Sequence, residues 1–131
     1  FWEKKIGKNF FLFVGVLRYY KGLEILIEAS RKCNFNIIIL GVGPNEEKLK
    51  KQALRLSLKN VFFLGYVNDK DKCAIIELSY SIVFPSNFRS EAFGISLLEG
   101  ALYAKPLISS EIGTGTSYIN IHNTCSVILY F

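Results

Sequence analysis

Short apolar runs and amphipathic stretches alternate along almost the whole chain, and few folds accommodate that order. Residues 10–16 (FFLFVGV) read as a buried strand. Residues 21–33 follow, with Leu23, Leu26, Ile27 and Ser30 on one helical face. Residues 36–40 (NIIIL) form a second strand, closed by a turn over 41–45. Residues 46–58 set Leu49, Ala53 and Leu56 against a lysine-rich face, the pattern of a half-buried helix. Residues 61–67 (VFFLGYV) give a third strand, after which Asn68 or Asp69 caps a helix over about 70–80. Residues 82–84 form a short strand closed by Pro85. Residues 93–103 are helical, 107–109 form a fifth strand, and 127–130 suit a sheet edge.

Strand and helix in strict alternation imply an α/β fold: a parallel sheet of about five to six strands with helices on both faces. Right-handed crossovers make it doubly wound and Rossmann-like, and ligands then bind outside the carboxyl ends of the strands. The 131 residues, half of them hydrophobic, suffice for one domain with a real core. Three widely spaced cysteines and a single histidine exclude a disulfide scaffold and a His-rich metal site. The longest apolar run is far short of the roughly 20 residues that span a bilayer. These features predict a reducing, cytoplasmic setting.

Charge is uneven. Residues 1–59 carry a net +7 and residues 60–131 a net −2. A basic half suits an anionic ligand. Its Lys and Arg fall largely on two outer helical faces with no stacking-aromatic motif, so nucleic acid is not expected as a partner.

The loops after the strands hold the candidate ligand groups. After the first strand, from Gly15, come Arg18 and Lys21 beside a helix start, a corner that favours phosphate. The loop is neither GxGxxG nor a P-loop. The Gly41-Val-Gly43 turn reads as an ordinary strand-to-helix connection. The Asp69-Lys-Asp71 triplet reads as helix capping, and no metal is assigned to it. After the fourth strand, Glu91 precedes a helix and Glu99 lies about two turns in, at most roughly 12 Å apart along the axis. Between them Phe93, Gly94 and Ile95 offer N–H groups. Acceptor, donor cluster, acceptor is an order that matches a sugar, a diphosphate and a ribose. Glu99 lies amid Leu97, Leu98, Ala101 and Leu102, and a carboxylate buried there needs a partner.

These pieces, FLFVGVLRYYKG, IIILGVGP, NVFFLGYV and VFPSNFRSEAFGISLLEGALYAKPLISSEIGTGTSYIN, stand in an order that resembles the donor-binding, C-terminal half of family-four glycosyltransferases of the GT-B architecture. The E-x7-E element followed by GALYAKPLI is the most specific of them. EIGTGTSYIN resembles bacterial mannosyl- and rhamnosyl-type transferases of surface polysaccharide synthesis.

The resemblance implies a retaining, metal-independent transfer of a hexose, mannose-like, from a GDP- or UDP-linked sugar to a glycan or lipid-linked acceptor, with no further cofactor. Glu91 would contact the donor hexose; Phe93, Gly94 and Ile95 would offer backbone N–H groups; Glu99 would bind the ribose. Lys21 would neutralise the leaving diphosphate, so Glu91 and Lys21 are the catalytic candidates. Val67 would meet the base, and Gly15 and Arg18 complete the donor-binding set. Val16 stands where the family has an arginine, leaving that phosphate contact to Arg18 or to Lys21 alone. His122 is expected in a polar surface role. Residues 1–122 are expected to form the donor domain, 123–131 an atypical, truncated or out-of-frame tail, and the acceptor-binding domain is expected to be missing. A chain so composed should not transfer sugar alone, and peripheral association with the inner membrane face fits the whole enzyme. The alternative reading of the same residues is a non-catalytic nucleotide-binding or regulatory module.

Overall fold

A computed structural model describes residues 1–87, 94–110 and 126–129. Six strands form one parallel sheet: β1 (Phe11–Val14), β2 (Ile37–Leu40), β3 (Val61–Gly65), β4 (Ser81–Phe84), β5 (Leu107–Ser110) and β6 (Ser126–Leu129). Their order is β3-β2-β1-β4-β5-β6. The chain leaves β1 in one direction to β2 and β3, then crosses back to β4, so the strand order reverses beside β1. That reversal is the doubly wound, Rossmann-like topology the alternation predicts. The edge pairing expected of the last apolar run is present, with β6 in parallel register on β5.

Alternation along each strand divides the core in two. Leu12, Ile38, Leu40, Ile82, Phe84 and Leu107 pack with Ile75, Ile76 and Leu97. Those last residues come from α4 (Asp69–Leu78) and α5 (Ile95–Leu102). Phe13, Ile37 and Ile39 turn the other way, onto Leu23 and Ile27 of α2 (Leu23–Ala29) and Leu49 and Ala53 of α3 (Glu46–Arg55). β2 is buried along its whole length because it carries helices on both sides. A further helix, α1 (Trp2–Ile6), precedes the sheet and rests Trp2 and Ile6 against the α4 side of the core. The sequence pattern gives no warning of α1, since its five residues include none that is fully buried.

Several helix limits differ from expectation, each for a local reason. The helix expected from Lys21 begins at Leu23. Tyr19–Lys21 instead forms a 3-10 turn that ends at Gly22, whose φ of 68° is left-handed. A side chain at Gly22 would also place its Cβ 1.9 Å from the carbonyl oxygen of Pro85. The same helix ends at Ala29, where the Ser30 hydroxyl donates to the Ile27 carbonyl at 2.6 Å and the chain tightens into a 3-10 turn. The helix expected from Phe93 starts at Ile95, with Gly94 as its N-cap. Glu99 therefore lies just over one turn into α5, not two. β3 ends at Gly65, so Tyr66 and Val67 belong to the following loop.

Candidate functional site

The loops that leave β1, β2 and β3 meet around a cleft of about 240 Å³, lined by Val14, Gly15, Leu40, Gly41, Val67 and Lys72, with Tyr66 at its margin. Backbone hydrogen bonds lock the loops together. Gly15 N–H donates to the Leu40 carbonyl and Gly41 N–H to that of Gly65, while Leu17 bonds Val42 and Asn45. The Gly41-Val-Gly43 turn is thus part of the frame as well as the wall. Tyr66 is 80% exposed. Val67 is half-buried, packs on the α4 side of the core and lines the cleft.

The chain after β1 is docked to the chain after β4. Asn87 N–H donates to the Tyr20 carbonyl at 3.2 Å, and Gly22 abuts Pro85. Lys21 is half-buried, its ammonium 5.3 Å from the ring centroids of both Tyr20 and Phe84, a cation–π arrangement at the carboxyl end of β4. Lys21 is thereby held beside the segment that leads to residues 88–93. Arg18 is exposed, and its carbonyl accepts from Lys21 N–H to open the 3-10 turn. Glu91 and Phe93 lie outside the described residues, as do His122 and Cys125; Cys33 and Cys73 are unbridged.

At the head of α5 the Gly94 carbonyl accepts from both Leu97 and Leu98. The N–H groups of Ile95 and Ser96 have no acceptor among the described residues, the donor array of a helix start. Gly94 itself is buried, and a Cβ there would approach Leu97 Cδ1 to 2.8 Å. Its missing side chain therefore makes room for Leu97 in the first turn of α5. α5 lies close on the sheet because Gly100 faces β4 and β5. A Cβ at that position would come within 2.5 Å of Ile82 Cγ1. This close approach sets the depth of the neighbouring Glu99.

Glu99 has the partner its setting demands. Lys72 Nζ of α4 donates to Glu99 Oε1 at 2.7 Å and lies 3.3 Å from Asp69 Oδ1. The Lys72 and Glu99 side chains are 25% and 28% exposed. The hydrogen bond to Glu99 is the main influence raising the lysine above its ordinary pKa; partial burial opposes it and Asp69 assists. Tyr103, the C-cap of α5, has its pKa raised chiefly by the neighbouring Cys73 thiol of α4, with burial adding to the effect. From the loop between α5 and β5, the Lys105 ammonium donates to the Glu77 and Ser79 carbonyls at the end of α4. Sequence reasoning missed Lys72 as a site residue. Its only signal was an unexplained cation one turn into a capped helix. The cap itself is as expected, with Asn68 Oδ1 accepting from Asp71 N–H at 2.9 Å.

Among the described residues no group of His, Cys, Asp and Glu is arranged to hold a metal ion, and no helix is long and apolar enough to cross a membrane. A more apolar cavity of about 220 Å³ lies between α2 and the β4–β5 face, lined by Ile25, Leu26, Val83 and Ile108 among others. It offers almost no polar surface for a phosphate or sugar, so the cleft at the strand ends is the candidate site.

A reversed strand order with a cleft at the carboxyl ends of its strands defines a Rossmann-like domain. The family described as Glycosyl transferases group 1 matches residues 1–129, and the chain belongs to it. It is 59% identical over 128 residues to D-rhamnosyltransferase WbpZ of Pseudomonas aeruginosa, covering 98% of this chain and 34% of that protein. It is 54% identical over 119 residues to O-antigen chain mannosyltransferase C of Escherichia coli, covering 91% and 32%. The chain thus spans about a third of the length of these curated relatives. Among solved structures, Anabaena HepE in complex with UDP-glucose matches with a TM-score of 0.83 at 24% identity, over 98% of this chain and 37% of that one. That likeness bears on the fold, which is that of a GT-B glycosyltransferase domain.

Proposed function

We propose that this chain is the donor-binding half of a retaining, metal-independent hexosyltransferase. Its donor is a GDP- or UDP-linked sugar of mannose or rhamnose type, and its acceptor is a glycan or lipid-linked sugar. The observation that carries the reading is Glu99, a carboxylate held one helical turn behind the donor array of α5 and joined through Lys72 to the cleft at the strand ends. Ribose hydroxyls suit the carboxylate, and phosphate suits the helix head and Lys21. Lys21 and the α5 dipole would stabilise the departing diphosphate electrostatically, which is the work a metal does in other transferases. Glu91 is assigned to the hexose hydroxyls. The names of the two curated relatives support a deoxyhexose or mannose donor.

On this reading residues 1–122 bind the donor, and the acceptor is held by a second domain across a cleft. The 131 residues alone then do not transfer sugar. The whole enzyme works in the cytoplasm, at the inner membrane face. Calorimetric titration of GDP, UDP and GDP-mannose into the wild type and Glu99→Ala tests the reading. A nucleotide bound by the wild type and weakened about tenfold or more by the substitution is expected, the cost of losing a charge-assisted hydrogen bond. Equal, negligible binding by both proteins would favour a module without donor binding.

A further inference from the structure

The pairing of Glu99 with Lys72 has a consequence for how tightly a ribose is held. We infer that Lys72 is a positioning residue for nucleotide recognition: its ammonium fixes Glu99 Oε1 and leaves the second carboxylate oxygen for the ribose diol. This rests on the donor-binding reading of Glu99. Lys72 is suited to the role in three ways. It lines the cleft itself, with Val67 and Gly15. It is anchored on its other side by Asp69 Oδ1. The helix that carries it is also held at its far end by the chain after α5, where Lys105 donates to the Glu77 and Ser79 carbonyls.

The physical gain is preorganisation. An unpaired glutamate on a partly exposed helix face samples several rotamers and loses that freedom on binding. A carboxylate already held at 2.7 Å has lost part of it before the ligand arrives. Lys72 is charged at neutral pH even at the ordinary lysine value, so the pair is present when the ligand binds. An arginine can replace the interaction; a methionine keeps the stem and removes it.

The test is calorimetric titration of UDP and GDP, each against its 2′,3′-dideoxy counterpart, with wild type, Lys72→Met, Lys72→Gln, Lys72→Arg and Glu99→Gln. Lys72→Met and Lys72→Gln are expected to lose about tenfold in affinity for the ribonucleotide, with the dideoxy affinity unchanged. Lys72→Arg is expected to retain most of the preference. The dideoxy affinity reports that the cleft is intact, which a merely structural role for Lys72 would disturb. Equal losses for both ligands in both neutral variants, or full preference without the ammonium, would overturn the inference while leaving the donor-binding reading in place. A wild type that does not distinguish ribose from dideoxyribose, or a preference insensitive to Glu99→Gln, would overturn the reading of Glu99 on which it rests.

Discussion

Trp2 Nε1 donates to Asp71 Oδ1 at 2.8 Å, across 69 positions of sequence. Asp71 is also bonded by Asn68, the N-cap of α4, through the Asn68 side-chain amide at 2.9 Å. The first helix of the chain is therefore fastened to the start of the helix that carries Lys72. Trp2→Phe keeps most of the packing and removes the donor to a charged acceptor, for an expected loss of about 1–3 kcal/mol. Urea unfolding of the two proteins measures it. Faster amide exchange in α1 than elsewhere in the variant would show that the bond holds α1 down.

Gly22 joins the loops after β1 and β4. Its left-handed backbone disfavours any side chain, and the Pro85 carbonyl fills the space one would need. Gly22→Ala is expected to cost about 2 kcal/mol or more, combining left-handed strain with a backbone displacement. A melting temperature lowered by less than about 2 °C would contradict the close approach.

Gly100 brings α5 onto Ile82 and Leu107. Gly100→Val overpacks that contact, at a cost of about 3 kcal/mol in stability. It should also lift Glu99 from Lys72, so nucleotide affinity falls further than in a destabilised core variant such as Leu97→Ala. Comparing the two by calorimetry, at a temperature where both remain folded, separates the effects.

The Lys72 ammonium has a folded pKa raised above its ordinary 10.5, first by Glu99 and then, after the opposing effect of burial, by Asp69. A raised folded value means the pair contributes fully below pH 10.5 and loses its contribution as pH climbs through the raised value. The stability difference between wild type and Lys72→Met should be about 1 kcal/mol or less, flat from pH 7 to 9, and smaller at pH 11. Denaturant midpoints at those three values check it; a difference that grows towards pH 11 would contradict the sign.

Much of the fold is written in local periodicity. β2 is four consecutive apolar residues because both of its faces are covered, and its run NIIIL announces that without help. α3 shows its buried Leu49 and Ala53 at helical spacing. The Asn68 cap and the short β4 before Pro85 are equally plain. Less legible are the places where a contact between distant segments overrides local preference. A run of helix-compatible residues starting at Lys21 waits until Leu23, because Gly22 must be left-handed against Pro85. α1 has too few residues to carry a period, and its reason for being helical lies in α4.

The site divides along the same line. Glu99 stands out in the sequence as a carboxylate among leucines, and that oddity called for a partner. The identity of the partner was hidden, because Lys72 is 27 residues away on another helix, where it reads as one more charge in a capped first turn. Sequence by itself determined the strand–helix order, the doubly wound parallel class that right-handed crossovers impose on it, and the residue types gathered at the strand ends. Tertiary structure alone decided which of them meet. Periodicity specifies the buried face of each element, whereas a salt bridge between two helices depends on how closely Gly100 lets one of them lie on the sheet.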